Sequence, residues 1–243
     1  MKRNQLKQAG KWLRYQVRKL ARPRTVCNGG LKLYLGEQVT SSYARSLYRD
    51  SHETEERAIV ERNLDEHDVV LECGAGLGMI TIICCRKVGS HRVHAFEANP
   101  AMEPLLRKNF ALNNVTPNLH IKLVGLDDGA GEFFVDQKFV VSSRFGNPGD
   151  DNRTVQTVPA IALQTLIDSI RPSFLIMDIE GAEVDLADDR LDLGPLQKLC
   201  IEMHPQIVGH EAISRVIGRL IAHGFALNLR ESQHDVLFFA RAA

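Results

Sequence analysis

No stretch of this sequence is apolar for long enough to cross a bilayer, and its start lacks the continuous apolar segment of a signal peptide. The five cysteines, Cys27, Cys73, Cys84, Cys85 and Cys200, form no CxxC pair and no zinc-ligand spacing. An odd set of thiols in apolar settings points to reduced, buried residues in a cytoplasmic protein. No Lys-Ser or Lys-Thr follows the glycine-rich loop near residue 75, which excludes a P-loop. There are no internal repeats and no low-complexity segment. Net charge is absent too: 30 basic and 30 acidic residues cancel, so overall charge gives no argument for nucleic acid as a partner.

The charges are unevenly spread. Residues 1–24 hold nine Lys or Arg and no acid, which leaves 21 basic against 30 acidic residues, a net of −9, for the rest. Leu6, Leu13, Val17 and Leu20 recur in this arm at near-helical spacing, with Trp12 beside them. The pattern fits a helix that caps the domain, or one that lies on an anionic membrane surface. The cap is the favoured reading, because charge runs are usually solvated faces.

At 243 residues and 44% hydrophobic content the chain can bury a sizeable core. From residue 68 short apolar runs alternate with longer amphipathic ones. Strands are expected at 68–73, 91–98, 119–126, 173–179 and 197–204, with helices at 78–89, 100–114 and 211–224. That alternation implies a parallel sheet with right-handed crossovers. "GEFFVD" and "VQTVPA" read as an antiparallel excursion around a polar loop at 146–152, followed by a short helix, "ALQTLIDSI". "FALNLRES" and "HDVLFFARA" read as a terminal hairpin. Residues 25–67 read as a strand and a polar helix ahead of the first core strand.

The most informative stretch is "VVLECGAGLGMI", residues 69–80. In an open parallel sheet, ligands bind beyond the carboxyl ends of the strands, and this loop follows the first of them. Gly74, Gly76 and Gly78 let backbone approach a ligand closely. The spacing is not that of a dinucleotide fingerprint, since Met79 stands where the third fingerprint glycine belongs. Glu72, at the strand end, would repel a pyrophosphate but suits an ammonium or sulfonium group. S-adenosylmethionine carries both. Glu97, at the end of the second strand, is placed to accept from both ribose hydroxyls.

With "FEANP", "NFALNN", "VPAIALQTLID", "MDIEGAEVDL" and "LCIEMHP", in that order and spacing, residues 48–241 resemble the FkbM family of class I S-adenosylmethionine methyltransferases. Two positions depart from the family pattern: Glu72, Gly74, Ala75 and Gly76 replace its Asp-x-Gly-Ala-Asn, and Met177 replaces the Lys before Asp178. The resemblance implies a Rossmann-like α/β fold, with a seven-stranded, mostly parallel sheet, an antiparallel last strand and helices on both faces. The chain is expected to divide into an N-terminal basic helix and cap region, 1–60, and a methyltransferase domain, 61–243. The resemblance implies O-methylation of a sugar, polyketide or related small molecule; with the charges balanced, no nucleic acid partner is expected. The cofactor set it implies is Glu72, Cys73, Gly74, Ala75, Gly76, Gly78, Glu97, Ala98, Asn99, Leu126, Asp127 and Asp178, with Asp127 beside the adenine.

An alcohol is a poor nucleophile until its proton is accepted. Asp178 and Glu180 end the fourth strand, and Glu202 and His204 the fifth; residues two apart share a strand face, so each pair can point into one cleft. His204 is the first choice of base, since its ordinary pKa lies near neutrality. Asp178 with Glu180 could instead hold a divalent cation, but no third oxygen ligand shows at a recognisable spacing. Glu180 and Glu183, around Gly181, also suit the start of a helix. Tyr43, Tyr48 and His52 are the polar candidates for the acceptor side. The competing readings are a non-catalytic module that keeps the cofactor pocket, and a nicotinamide oxidoreductase, which the glycine spacing and Glu72 disfavour.

Overall fold

The computed structural model describes residues 2–36, 39, 41–136, 142–143 and 153–241. Its helices are α1 (Lys2–Ala21), α2 (Ser41–Tyr48), α3 (Thr54–Asn63), α4 (Met79–Val88), α5 (Glu103–Leu112), α6 (Leu163–Ile170), α7 (Pro205–Val208) and α8 (His210–Ala222). Its strands are β1 (Thr25–Asn28), β2 (Leu31–Tyr34), β3 (Val70–Cys73), β4 (Val93–Glu97), β5 (Asn118–Ile121), β6 (Leu123–Gly125), β7 (Gly129–Asp136), β8 (Ser142–Ser143), β9 (Arg153–Ala162), β10 (Phe174–Met177), β11 (Lys198–Glu202), β12 (Phe225–Leu227) and β13 (Val236–Arg241).

Seven strands form the main sheet in the order β12-β13-β11-β10-β3-β4-β5. β13 alone runs antiparallel, against both β11 and β12. The strand order reverses between β3 and β10, so ligands are expected beyond the carboxyl ends of these two. Both strands are buried along their whole length, as a sheet covered on two faces requires. The period-2 alternation sorts their side chains. Val70, Phe174 and Ile176 pack with α3, α4 and α5, while Leu71, Cys73, Leu175 and Met177 pack with α6 and α8. Glu72 therefore falls on the α3–α4 face.

The expected excursion is a separate four-stranded sheet, β6-β9-β7-β8. The strand expected at 119–126 breaks at Lys122: β5 stays in the main sheet, and β6 leaves it to pair in parallel with β9. The loop expected at 146–152 lies outside the described residues. Before the core, the chain makes a β1–β2 hairpin and two helices, more than the single strand and helix expected. The expected division at 60/61 falls inside α3, and Leu31, Leu33 and Leu47 share one apolar cluster with Ile59, Val60 and Val70. Four of the five cysteines are buried as expected; Cys27 is exposed, because alternation on the edge strand β1 turns it outward. Among the described residues no helix is long and apolar enough to cross a membrane.

Candidate active site

The glycine loop closes a cleft of about 890 Å³, measured with its open mouth. The cleft begins where two strand ends lock together. The Asp178 N–H donates to the Cys73 carbonyl at 3.0 Å, and the Gly74 and Ala75 N–H groups donate to the Phe96 carbonyl at 2.9 and 3.0 Å. Gly74 has φ +92°, and a Cβ on it would lie 1.8 Å from the Asp178 carbonyl oxygen. Only glycine lets β3 and β10 end this close together. Gly76, at φ +52°, differs: a Cβ there would point into open space, with Glu53 Oε1 the nearest atom at 3.9 Å.

Two carboxylates form the inner wall. Glu97 accepts from the Gly76 N–H through Oε2 and from the Asn99 N–H through Oε1, both at 2.9 Å. Burial raises its pKa, and those backbone donors oppose the rise. Glu72 is 2% exposed, and its Oε2 has no hydrogen-bond partner. Burial pushes its pKa up to about 8, while the neighbouring Thr81 pulls the other way. At the opposite end Leu123, Val124 and Phe133 make the lining apolar.

The mouth is acidic. Glu53, Glu56, Asp178, Glu180 and Glu202 line it together with Tyr43 and His52, and Lys122 is the one Lys or Arg among the described lining residues. Glu53 and Glu180 both hold left-handed backbone, at φ 48° and 50°, a strain that tends to gather at functional sites. Burial, then the charge of Glu53, raises the Glu56 pKa; burial, then Glu202, raises that of Asp178. Asp178 Oδ1 makes no hydrogen bond.

His204 stands behind these carboxylates rather than in the cleft lining, with its side chain 5% exposed. Its Nδ1 lies 3.1 Å from Oε1 of Glu183, which is fully buried and also accepts from the His204 and Gly181 N–H groups at 2.7 Å each. That bond fixes the ring, so that Nε2 faces Asp178 Oδ1 at 3.6 Å and Glu180 Oε2 at 3.5 Å. Burial opposes a charge on the ring, but Glu183 and the two facing carboxylates outweigh it and raise the pKa to about 9. Asp178, Glu180 and His204 offer atoms that could ligate a cation, all within 4.8 Å of one another.

The cleft and its mouth thus gather Glu72, Gly74, Ala75, Gly76, Glu97, Ala98, Asp178, Glu180 and Glu202 from the expected set. They do not gather the others. Alternation turns the Cys73 side chain into the opposite core layer. Gly78 caps α4, packed so tightly that a Cβ would meet Phe110. The Asn99 side chain accepts from the Ala101 N–H at 3.0 Å and starts the next helical turn. Leu126 packs in the α6–α8 layer, and Asp127 is exposed in an ion pair with Arg190 at 3.1 Å. Both fall outside because β6 has left the main sheet, so Lys122, Leu123 and Val124 form that wall instead. Glu183 turns from the surface helix charge it resembled into the buried partner of His204. Glu56 gave no sign of burial within a polar helix.

The residues present fit S-adenosylmethionine. The orphaned Glu72 oxygen calls for a cationic group, the space at Gly76 admits a ligand against backbone, and Glu97 retains lone pairs for a diol.

Comparison with known proteins agrees. Residues 72–225 match the model of the methyltransferase FkbM domain. A probable ribosomal RNA small subunit methyltransferase A from Thermococcus onnurineus (strain NA1) is 39% identical over 62 residues, which are 24% of this chain and 22% of that protein. A precorrin-6y C5,15-methyltransferase from Geobacter metallireducens GS-15 superposes with a TM-score of 0.42 at 15% identity, over 77% of this chain and 85% of that one. M. jannaschii TYW2, in complex with AdoMet, gives 0.42 at 16% identity, over 90% and 86%. Likenesses this distant carry no argument about substrate. With an RNA methyltransferase among the relatives, however, the sequence-level exclusion of nucleic acid no longer stands. The family match spans well over half of the chain: it belongs to the FkbM methyltransferase family, a class I methyltransferase with S-adenosylmethionine as its expected cofactor.

Proposed function

We propose that this methyltransferase acts on a hydroxyl of an uncharged small molecule rich in hydroxyl groups, of sugar or polyketide type. The observation that carries this reading is the charge of the mouth. Glu53, Glu56, Asp178, Glu180 and Glu202 face the entrance, with Lys122 the only Lys or Arg among the described lining residues. A polyanion such as RNA would meet charges of its own sign there, whereas nucleic-acid sites are strongly positive. Carboxylates also suit sugar-like acceptors, because ionised carboxylates accept hydrogen bonds from hydroxyl groups.

When bound, S-adenosylmethionine supplies a methyl carbon activated by its sulfonium leaving group. Glu72 and the loop at Gly74–Gly76 face its amino-acid end in this reading, Glu97 accepts from the ribose hydroxyls, and Leu123, Val124 and Phe133 cover the base. The chain's remaining work is alignment and removal of one proton from the acceptor oxygen. Asp178 is the better base than His204, because it lines the cleft while His204 stands behind it with its side chain 5% exposed. His204 is a positioning residue, fixed by Glu183 and holding Asp178 and Glu180 in place. A second reading rests on the ligand atoms of Asp178, Glu180 and His204 lying within 4.8 Å: a divalent cation there would assist deprotonation.

Transfer of label from methyl-labelled S-adenosylmethionine to a panel of hydroxylated small molecules, beside total RNA, tests the reading, with and without EDTA. Label in the small molecules and none in RNA is expected. Preferential labelling of RNA refutes the acceptor class, absence of all turnover favours the non-catalytic module, and loss of activity with EDTA selects the cation reading.

A further inference from the structure

A helix that caps a domain buries its apolar stripe and leaves its polar face in water. α1 does the opposite. Arg14 and Arg18 point to the body, where both pair with Asp50, at 3.2 and 2.8 Å. Arg18 also donates to the carbonyls of Tyr48 and Cys27. Trp12 and Leu20 are 63% and 85% exposed, and Leu13 and Val17 are more than half exposed. At 100° per residue Leu13, Val17 and Leu20 share an arc of about 60°, and Trp12 extends it to about 140°. The favoured cap reading fails on this point: none of the described residues covers the stripe.

The occupant must supply apolar contact and negative charge together. Lys19 lies beside Trp12 on the helix and, like Arg22 and Arg24 just beyond its end, is exposed, and residues 1–24 contain no acid at all. A second copy fits poorly. Pairing stripe to stripe would bring two all-basic helices together, and the other large exposed apolar residues among those described, Val155, Ile221 and Leu229, stand singly in separate parts of the chain. An anionic bilayer meets both demands. We propose that α1 seats this protein on an anionic membrane surface, with Trp12, Leu13, Val17 and Leu20 entering the boundary between headgroups and acyl chains. The hydrogen bonds of α1 go to Cys27, Tyr48 and Asp50, none of which lines the cleft, so the proposal stands apart from the chemistry.

The chain carries a single tryptophan, and it is Trp12, so intrinsic fluorescence reports on the stripe directly. The full chain is titrated with vesicles of phosphatidylcholine alone, or mixed with phosphatidylglycerol. A blue shift and co-sedimentation with the mixed vesicles in low salt, reversed in high salt, are expected. The triple variant Leu13→Gln/Val17→Gln/Leu20→Gln keeps every charge and should partition about tenfold less or weaker. Its melting-temperature rise with S-adenosylmethionine should match the parent's, which shows that the body is intact. No emission shift with anionic vesicles overturns the proposal, as does unchanged binding by the triple variant. A blue shift without vesicles that grows with protein concentration, alongside doubled mass in sedimentation, assigns the stripe to a second copy instead.

Discussion

Glu72→Gln is the substitution that tests most sharply how this site is built. Glu72 is 2% exposed on the α3–α4 face of β3, with one oxygen unpartnered, and burial lifts its pKa from 4.5 to about 8. The sign is the reverse of that of a salt-bridged carboxylate. A raised folded value means that the folded state holds the proton more tightly than the unfolded chain, so stability falls as pH rises from 4.5 towards 8. Each unit in that window is worth about 1.36 kcal/mol, which puts the full cost of ionisation on the order of 5 kcal/mol and the cost at pH 7 on the order of 3. Gln has nearly the same shape and never ionises. Without cofactor, parent and variant should be about equally stable at pH 5, and the variant should be the more stable by roughly 3 kcal/mol at neutral pH. Urea melts at half-unit steps of pH measure the difference, in which all other titrating groups cancel. Cofactor binding should show the mirror image. A cation beside Glu72 draws its proton off, so parent affinity should strengthen with rising pH, while the variant should bind weakly and without that slope. Parallel stability curves for the two proteins from pH 5 to 8 would refute the reasoning, because they would mean that Glu72 ionises freely in the fold.

The other expectations follow from neighbouring contacts. Glu97→Ala should weaken S-adenosylmethionine by on the order of 1.5–3 kcal/mol in calorimetry, with Glu97→Asp recovering part of it; unchanged affinity would place the ribose elsewhere. Gly74→Ala should cost on the order of 3 kcal/mol or more of stability, because its Cβ would strike the Asp178 carbonyl, whereas Gly76→Ala should cost about 1 kcal/mol and lose cofactor affinity; equal losses of stability in chemical melts would contradict the geometry. Asp178→Asn should lower turnover by roughly 10²–10⁴-fold with cofactor affinity retained; near-parental turnover would remove Asp178 as the base. His204 gains its carboxylate partners on folding, so its stabilisation is fully present below about pH 6.5 and lost as pH rises through about 9; the stability gap between parent and His204→Gln should close across that window in melts at graded pH.

The order of strands and helices was legible in the sequence because periodicity and turn chemistry are local properties. A run of six to eight apolar residues between polar turns states its own type, and the spacing of "ECGAG" and "FEANP" states which strand ends open onto the cleft. Gly74 and Glu97 followed from that alone. Burial and partners were a different matter, since they depend on what comes near from far along the chain. Glu56 and Glu183 look like surface charges in their own segments; one is buried beneath the cleft mouth, and the other fixes His204 from 21 residues away. Asp127 looked like a strand-end residue, but the break at Lys122 and the pairing of β6 with β9 carried it out of the cleft. The stripe on α1 was visible as a pattern. Which way it faced was decided by Asp50, which pairs with Arg14 and Arg18 and turns the apolar side to solvent. A sequence carries the periodicity of a face; only the assembled chain decides what that face meets.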